Sequence, residues 1–390
     1  MTEQNPFKFK LAPTMQAGCG CTPPANPGGA CCGPADTPKA VLSNIQLKIP
    51  VEPVDPKAVP RVSDVLTRSD RWGAFKVRWG VGRMSYTVQP GLYALGAPDA
   101  NSEVLVTANY KLTFDVLRST LAGLNFWILV IDTKGINVWC AAGKGTFGTE
   151  ELVRRIEASG LASVVRHRRV IVPQLGAPGV AAHTVKAQSG FKVVYGPIEA
   201  ADIPAFLEAG MKASAAMREK TFSLRERIVL IPVELVSAFK GAVFLAAVFA
   251  LLSGLLGPNG FWDNALRSGV LAAGALFAAL LGGAVLTPML LPVLPGRPFS
   301  IKSLPLGILL GAATVLGLGS GFASTWSALE SSAWLLIVPA LTAYLAMNFT
   351  GASTYTSLSG VKKEMKYALP VQIGAAVLGI ALWTASRIIA

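Results

Sequence analysis

Asn125-Phe126-Trp127-Ile128-Leu129-Val130-Ile131-Asp132 is a continuous apolar run bounded by polar residues. A strand with one wet face alternates apolar and polar side chains, so an unbroken run of this kind belongs to a strand covered on both faces. Upstream, residues 103–108 read as another strand and 112–121 have helical periodicity. Residues 72–88 and 92–95 read as short strands separated by Gly turns. Downstream, Thr149-Glu150-Glu151 opens a helix that ends at Gly160, with a hydroxyl cap, an acidic first turn and a terminal Gly. A strand at 169–174, a helix at 180–188, a strand at 191–195 and a helix at 203–218 follow. This alternation predicts a Rossmann-like α/β domain with a parallel-rich sheet. Ligands of such sheets bind at the carboxyl ends of the strands, where Gly143–Gly148, Gly176–Gly179 and Gly196-Pro197 gather.

The chain has 390 residues, of which 52% are hydrophobic and 15% charged, a balance that excludes a wholly soluble protein and disorder throughout. Five Cys are too sparse for a disulfide scaffold. The net charge of +13 invites a nucleic-acid reading, but +9 of it belongs to the first 227 residues, which have an ordinary mixture of charges. No nucleic-acid partner is expected. After Arg227 come five apolar stretches near 228–256, 269–291, 304–323, 332–349 and 369–388, each about the 20 residues that cross a bilayer. They predict an all-α domain of five transmembrane helices, with Gly-rich patterns suited to close helix contact.

Arg218, Lys220, Arg225 and Arg227 precede the first span, Arg297 and Lys302 follow the second, and Lys362, Lys363 and Lys366 follow the fourth. Basic residues stay on the cytoplasmic side, so the N-terminal domain is expected in the cytoplasm and the C-terminus outside, in the cytoplasmic membrane. Residues 1–40 lack the apolar core of a signal peptide, in keeping with that orientation. Glu234, Lys240 and Arg387 fall within spans near their ends, as snorkelling or interface charges do, and give little support to a transport path. The predicted organisation is therefore an arm at 1–59, a cytoplasmic domain at 60–222 and a membrane domain at 223–390.

The arm is rich in Pro, Gly and Ala and should be flexible. It holds Cys19, Cys21, Cys31 and Cys32, reduced thiols that suit soft metals and so capture of a thiophilic cation such as Hg(II); the alternative is a linker with incidental thiols.

Gly143-Lys-Gly145-Thr-Phe-Gly148 fits G-x-G-x-x-G, but ten residues separate it from Asp132, where a dinucleotide-binding turn would follow its strand at once. The loop instead carries Cys140. A lone Cys after a buried strand is commonly a small packed hydrophobe. Here it lies where a ligand should sit, with Trp139 beside it and Lys144 four residues on, one helical turn away and able to favour the thiolate.

Asn137-Val138-Trp139-Cys140-Ala141-Ala142-Gly143-Lys144, running into Gly145-Thr146-Phe147-Gly148, resembles the cap-helix signature of the HgcA family, the corrinoid proteins of microbial mercury methylation. The resemblance extends over 104–213, which is similar to the corrinoid-binding domain in the large subunit of the corrinoid iron–sulfur protein of acetyl-CoA synthesis. Further shared stretches are Val106-Thr-Ala-Asn-Tyr-Lys111 and Val172-Pro-Gln-Leu-Gly-Ala-Pro-Gly179. The five spans also match the mercury-methylation family; the Cys-rich arm is not part of its signature.

The resemblance implies a Rossmann-like cobalamin-binding domain that transfers a methyl group from a corrinoid to Hg(II). Cys140 would be the lower axial cobalt ligand, with the cofactor's own base displaced. Asn137, Trp139, Ala141 and Lys144 would shape the cap helix under the corrin, and Val138, Ala142 and the Gly143–Thr149 segment would adjoin it. Gln174, Leu175, Gly176, Ala177, Pro178, Gly179 and Val180, with Tyr195 and Gly196, would contact the corrin and its tail. Other corrinoid methyltransferases use a His in Asp-x-His-x-x-Gly, and neither His167 nor His183 lies in that pattern.

Delivering a methyl group with its electron pair and then accepting one from a methyl-folate-dependent donor protein requires two low-potential electrons per turnover. This chain has no Cys-x₂-Cys-x₂-Cys run. A ferredoxin-like partner with two [4Fe–4S] clusters is implied as electron donor and as a source of Hg(II). The basic run Arg166-His-Arg-Arg169 suits either an acidic ferredoxin or a solvated edge. A corrinoid methyl carrier of one-carbon metabolism with another acceptor, and a membrane transporter with a cobalamin-sensing module, are the rival readings.

Overall fold

The computed structural model describes residues 55, 58–258, 260–321, 328–349 and 358–389. Cys19, Cys21, Cys31 and Cys32 lie outside the described residues. The α/β part runs β1 (Arg61–Val62), α1 (Arg68–Arg78), β2 (Gly91–Leu95), β3 (Val104–Ala108), α2 (Lys111–Thr120), β4 (Phe126–Ile131), α3 (Val138–Lys144) and α4 (Thr149–Ala158). It continues through α5 (Leu161–Val164), β5 (Arg169–Val172), a 3₁₀ segment (Gln174–Gly179), α6 (Ala182–Ser189), β6 (Lys192–Tyr195) and α7 (Ile203–Glu208).

The six strands form one sheet in the order β1-β2-β4-β3-β5-β6. All neighbours are parallel except β2 and β4, which pair antiparallel with Tyr93 opposite Ile128. Strand β4 is buried along its whole length. Its side chains divide with period two: Trp127, Leu129 and Ile131 join the core under α3, α4 and α6, whereas Phe126, Ile128 and Val130 join Phe114, Leu117 and Phe206 on the other face.

Three segments differ from the sequence expectation. Residues 72–88 are not strands: 68–78 form α1, and a 3₁₀ turn follows at Arg83–Ser85. Thr67 and Asp70 make a reciprocal capping box that nucleates α1, which overrides the strand preference of its aromatic residues. The helix expected to reach Arg218 stops at Glu208, because Gly210 and Met211 both take left-handed backbone (φ 66° and 63°). Thr149 is the first residue of α4 rather than its cap, a position held by Gly148. Its hydroxyl accepts from the Ala181 amide at 2.8 Å instead.

Asp70 fastens α1 to α2. Its carboxylate meets Lys111 Nζ at 2.5 Å and Arg118 at 2.8 Å, and both cations also contact Asp115. Burial alone would raise the Asp70 pKa, but hydrogen bonds from Lys111, Thr67 and Arg118 outweigh it and hold the carboxyl well below the usual carboxylate range. A depressed folded-state pKa contributes stability above the unfolded value, about 3.9, and that contribution is lost as pH falls below it. Asp70→Asn is therefore expected to lower stability at neutral pH by about 2 kcal/mol, with the gap to the wild-type chain closing below about pH 4. Thermal melting across that range checks this; a gap that widens on acidification would contradict it.

Among the described residues, five helices are long and apolar enough to cross a membrane. They are α8 (Leu224–Leu256), α9 (Phe261–Leu280, which continues through a π-helical turn at Leu281–Leu286 into α10, Thr287–Leu290), α11 (Phe299–Gly321), α12 (Ala328–Asn348) and α13 (Leu358–Ile389). Small residues permit close approach: a Cβ on Gly283 would lie 2.6 Å from Thr342 O, and one on Gly307 2.7 Å from Pro339 Cα. Glu330 lies in the first turn of α12, buried and paired with Arg387 of α13, which also donates to Ser268 Oγ of α9 at 2.8 Å. Glu234 instead lines a cavity of about 280 Å³ between α8, α9 and α12, together with Ser237, Tyr344 and Asn348.

The α/β part meets the helices at one end. Phe222, Leu291, Phe299 and Phe349 form a cluster there, and Lys220 bridges Glu199 and Glu226 across the junction.

Candidate functional site

The segment after β4 is built around one buried amide. Asn109, directly after β3, accepts from the Thr133 amide (3.1 Å) and the Gly135 amide (3.0 Å), while its Nδ2 donates to Asp132 Oδ1 (3.1 Å). The Thr133 hydroxyl sits 2.8 Å from Asn109 Oδ1 and 2.6 Å from Ile136 O. Lys134 and Gly135 turn the chain with positive φ. Glu151 of α4 takes the Asp132 amide at 2.8 Å. These bonds tie the chain between β4 and α3 to β3 and α4, and α3 starts from a fixed point.

Asn137 caps α3, its Oδ1 accepting from the Cys140 amide at 2.9 Å. Gly145 ends the helix in left-handed backbone (φ 79°), and the Thr146 and Phe147 amides both donate to Ala141 O. Within the helix, Val138, Ala141 and Ala142 are buried against the sheet. Trp139, Gly143 and Lys144 are exposed and Cys140 is half-buried. At 100° per residue Cys140 and Gly143 fall at the centre of the outward face, with Trp139 and Lys144 on its flanks. Nothing lies within 4 Å of where a Gly143 Cβ would stand.

A second loop buttresses the first. Phe147 is fully buried, and Gly176 and Gly179 close on it: a Cβ at Gly176 would lie 2.5 Å from the Phe147 ring, and one at Gly179 2.0 Å from Phe147 O. Thr149 Oγ1 takes the Ala181 amide, and Tyr195 donates to Val180 O at 2.6 Å. Residues 137–149, 174–180 and Tyr195 thus form one block at the carboxyl end of the parallel strands. Gly196 sits beside it, packed on Ile171. Ala177 is partly exposed and Pro178 exposed, whereas Leu175 leans into the core. Gln174 Oε1 is buried without a hydrogen-bond partner among the described residues.

The G-x-G-x-x-G of 143–148 spans the end of α3 and the cap of α4, and is not a strand-to-helix turn. The basic run lies at the opposite end of the sheet, where its members serve local structure: Arg169 pairs with Glu103, Arg168 Nη1 donates to Val165 O at 2.7 Å and His167 Nε2 contacts Ser102 O at 2.9 Å. Among the described residues no three His, Cys, Asp or Glu side chains converge on a metal position. Cys140 therefore offers one soft sulfur donor beside a glycine with open space above it, with a flat indole on the flank. That set fits a flat macrocycle that brings its own in-plane donors to a metal.

A family model described as CO dehydrogenase/acetyl-CoA synthase delta subunit matches residues 81–207. The gamma subunit of the acetyl-CoA decarbonylase/synthase complex from Methanopyrus kandleri is 37% identical over 123 residues, which is 31% of this chain and 26% of that protein. The corresponding subunit from Methanocaldococcus jannaschii is 34% identical over 127 residues, 32% of this chain and 26% of that protein. The family match falls wholly within the α/β part. The chain spans about a quarter of the length of those relatives, and the matched segment ends before α8.

Asn109 is the positioning residue that sequence reasoning passed over. Its signals are its place within the shared stretch Val106–Lys111 and a polar amide set directly after the five residues of β3. Asn109→Ala would leave the Thr133 and Gly135 amides buried without an acceptor, at a cost of about 2–4 kcal/mol. Thermal unfolding is expected to register that loss, and corrinoid titration a weaker complex, because α3 starts from this turn.

Proposed function

We propose that the chain is a membrane-bound corrinoid methyltransferase that transfers a methyl group to Hg(II), with Cys140 as the lower axial ligand of cobalt in a base-off corrinoid. The observation that carries this reading is the placement of Cys140 at the centre of the outward face of α3, on a helix whose other face is locked into the sheet. When bound, the corrinoid supplies a cobalt-borne methyl group as a transferable one-carbon unit. The chain's own residues do the rest. Asn137 fixes the turn that presents the sulfur. Trp139 and Gly143 offer a flat, unobstructed approach, and Lys144 places a cation one helical turn from the sulfur. A thiolate is a soft, electron-rich donor. As a donor to the cobalt of a bound corrinoid, Cys140 would enrich the cobalt-borne group in electrons, which would suit a soft electrophile such as Hg(II).

The finer organisation belongs to the same reading: an arm at 1–59, an α/β domain at 60–222 facing the cytoplasm and a membrane domain at 223–390. Arg218, Lys220, Arg225, Arg227, Arg297, Lys302, Lys362, Lys363 and Lys366 all flank one end of the helix bundle, as cytoplasmic residues do. A ferredoxin-like protein with two [4Fe–4S] clusters would supply electrons and Hg(II), a methyl-folate-dependent protein the methyl group, and the arm cysteines a relay for Hg(II).

A second reading is a methyl carrier of one-carbon metabolism, favoured by the similarity to subunits of acetyl-CoA decarbonylase/synthase complexes. The deciding experiment loads the purified, membrane-reconstituted chain with corrinoid and a labelled methyl group. It then offers Hg(II), a thiol or a nickel acceptor under the same reductant. Methylmercury as the dominant product supports the first reading; transfer to the thiol or nickel alone supports the second.

A further inference from the structure

Helix α1 turns its large apolar side chains away from the protein. Trp72, Phe75 and Trp79 are 60%, 49% and 39% exposed, and Val81 and Met84 just beyond are also exposed. Trp72 stacks on Phe75 at 5.3 Å, and Phe75 meets Trp79 at 6.0 Å, so the three rings make one continuous plate. At 100° per residue they share an arc of about 60°, bordered by Arg71 and Arg78 on one side and Lys76 on the other. The inward face is small: Gly73 and Val77 are buried, and a Cβ on Gly73 would lie 2.5 Å from the Tyr86 hydroxyl. Asp70, tied to Lys111 and Arg118, fixes this rotation. The outward aromatic plate is therefore a held feature, since turning it inward would break both contacts.

The position of α1 says what covers it. It packs against α8, and Arg83, in the turn after α1, lies within electrostatic reach of Glu234. At 1.5 Å per residue, the 33 residues of α8 span about 50 Å, well beyond a hydrocarbon core of about 30 Å. The charged first turn of α8 (Arg225, Glu226, Arg227) belongs outside the hydrocarbon, and the reach of Arg83 to Glu234, about three turns in, sets the end of α1 level with the headgroups. Indole rings and flanking Arg and Lys are the residues that prefer this zone.

We propose that α1 is an interfacial membrane anchor, seating Trp72, Phe75 and Trp79 in the leaflet that α8 enters and setting Arg71, Lys76 and Arg78 against anionic lipid phosphates. This rests on α8 being a membrane span and is independent of the corrinoid reading. The turn after α1 backs the Cys140 loop, since a Cβ on Gly135 would lie 2.9 Å from Met84 O. An anchored α1 consequently holds the carboxyl edge of the sheet at a fixed height above the bilayer.

The test uses the full chain in phosphatidylglycerol-containing nanodiscs, with and without bromine on the upper acyl carbons. The emission of Trp72 and Trp79 is isolated as the difference between the wild-type chain and Trp72→Phe/Trp79→Phe, a double substitution of exposed rings. Interfacial helices seat about 5–10 Å into the headgroup boundary, so bromine should quench that difference by about half or more. Arg71→Glu/Lys76→Glu should reduce the quenching. A difference spectrum unaffected by bromine would overturn the proposal.

Discussion

Cys140→Ala is expected to abolish methyl transfer to Hg(II) and to remove the sulfur-to-cobalt absorption of the corrinoid complex, while leaving the fold unchanged. The side chain is half-buried on the outward face of α3, and its contribution to the helix is a backbone amide bonded to Asn137. Ala keeps that amide and is the strongest helix former, so stability should stay within about 0.5 kcal/mol of the wild-type chain. Loss of transfer in a protein that melts normally is then a loss of chemistry. Cys140→His separates donor character from ligation, because imidazole binds metals well but is neutral and less soft. It should retain corrinoid and transfer far more slowly. Full methylation by Cys140→Ala, measured as methylmercury formed per bound corrinoid, would remove the thiolate from the mechanism.

Much of the α/β fold is legible because the strands between helices are short and buried. The run at 125–132 has no alternation, and β4 is covered on both faces as that implies. The cap helix enters the sequence reading only through the resemblance at 137–148, although the Asn137 cap and the left-handed Gly145 that bound it are local signals. What escapes is set by tertiary contact. The antiparallel pairing of β2 with β4 depends on distant partners and leaves no mark in either strand alone. Aromatic residues at 72, 75 and 79 suggest strand, since such rings usually pack inside sheets. Their helical spacing makes sense only once their outward face has somewhere to go. Thr149 looks like a cap, yet the loop at Ala181 claims its hydroxyl.

Gly143 and Gly179 lie close to the same helix, and substituting each by Ala is expected to move stability and cofactor binding differently. At Gly179 the added Cβ would stand 2.0 Å from Phe147 O and 3.3 Å from Ala142 Cα. Both are backbone atoms, and the intervening Phe147 ring is fully buried, so neither neighbour can swing aside. The 174–180 loop must lift off the end of α3, straining the Thr149–Ala181 bond. Gly179→Ala should cost about 1–3 kcal/mol in stability and at least tenfold in corrinoid affinity, since the block that holds α3 opens. At Gly143 the added Cβ meets nothing within 4 Å. Replacing a helical Gly by Ala gains up to about 0.5–1 kcal/mol, less near a helix end, so Gly143→Ala should melt slightly higher than the wild-type chain. It also plants a methyl group beside Cys140 on the face offered to the macrocycle, and corrinoid affinity should fall several-fold despite the firmer helix. A Gly143→Ala chain that is more stable and binds corrinoid as tightly as before would mean that the cofactor approaches from elsewhere, because no packing defect is available to explain the result.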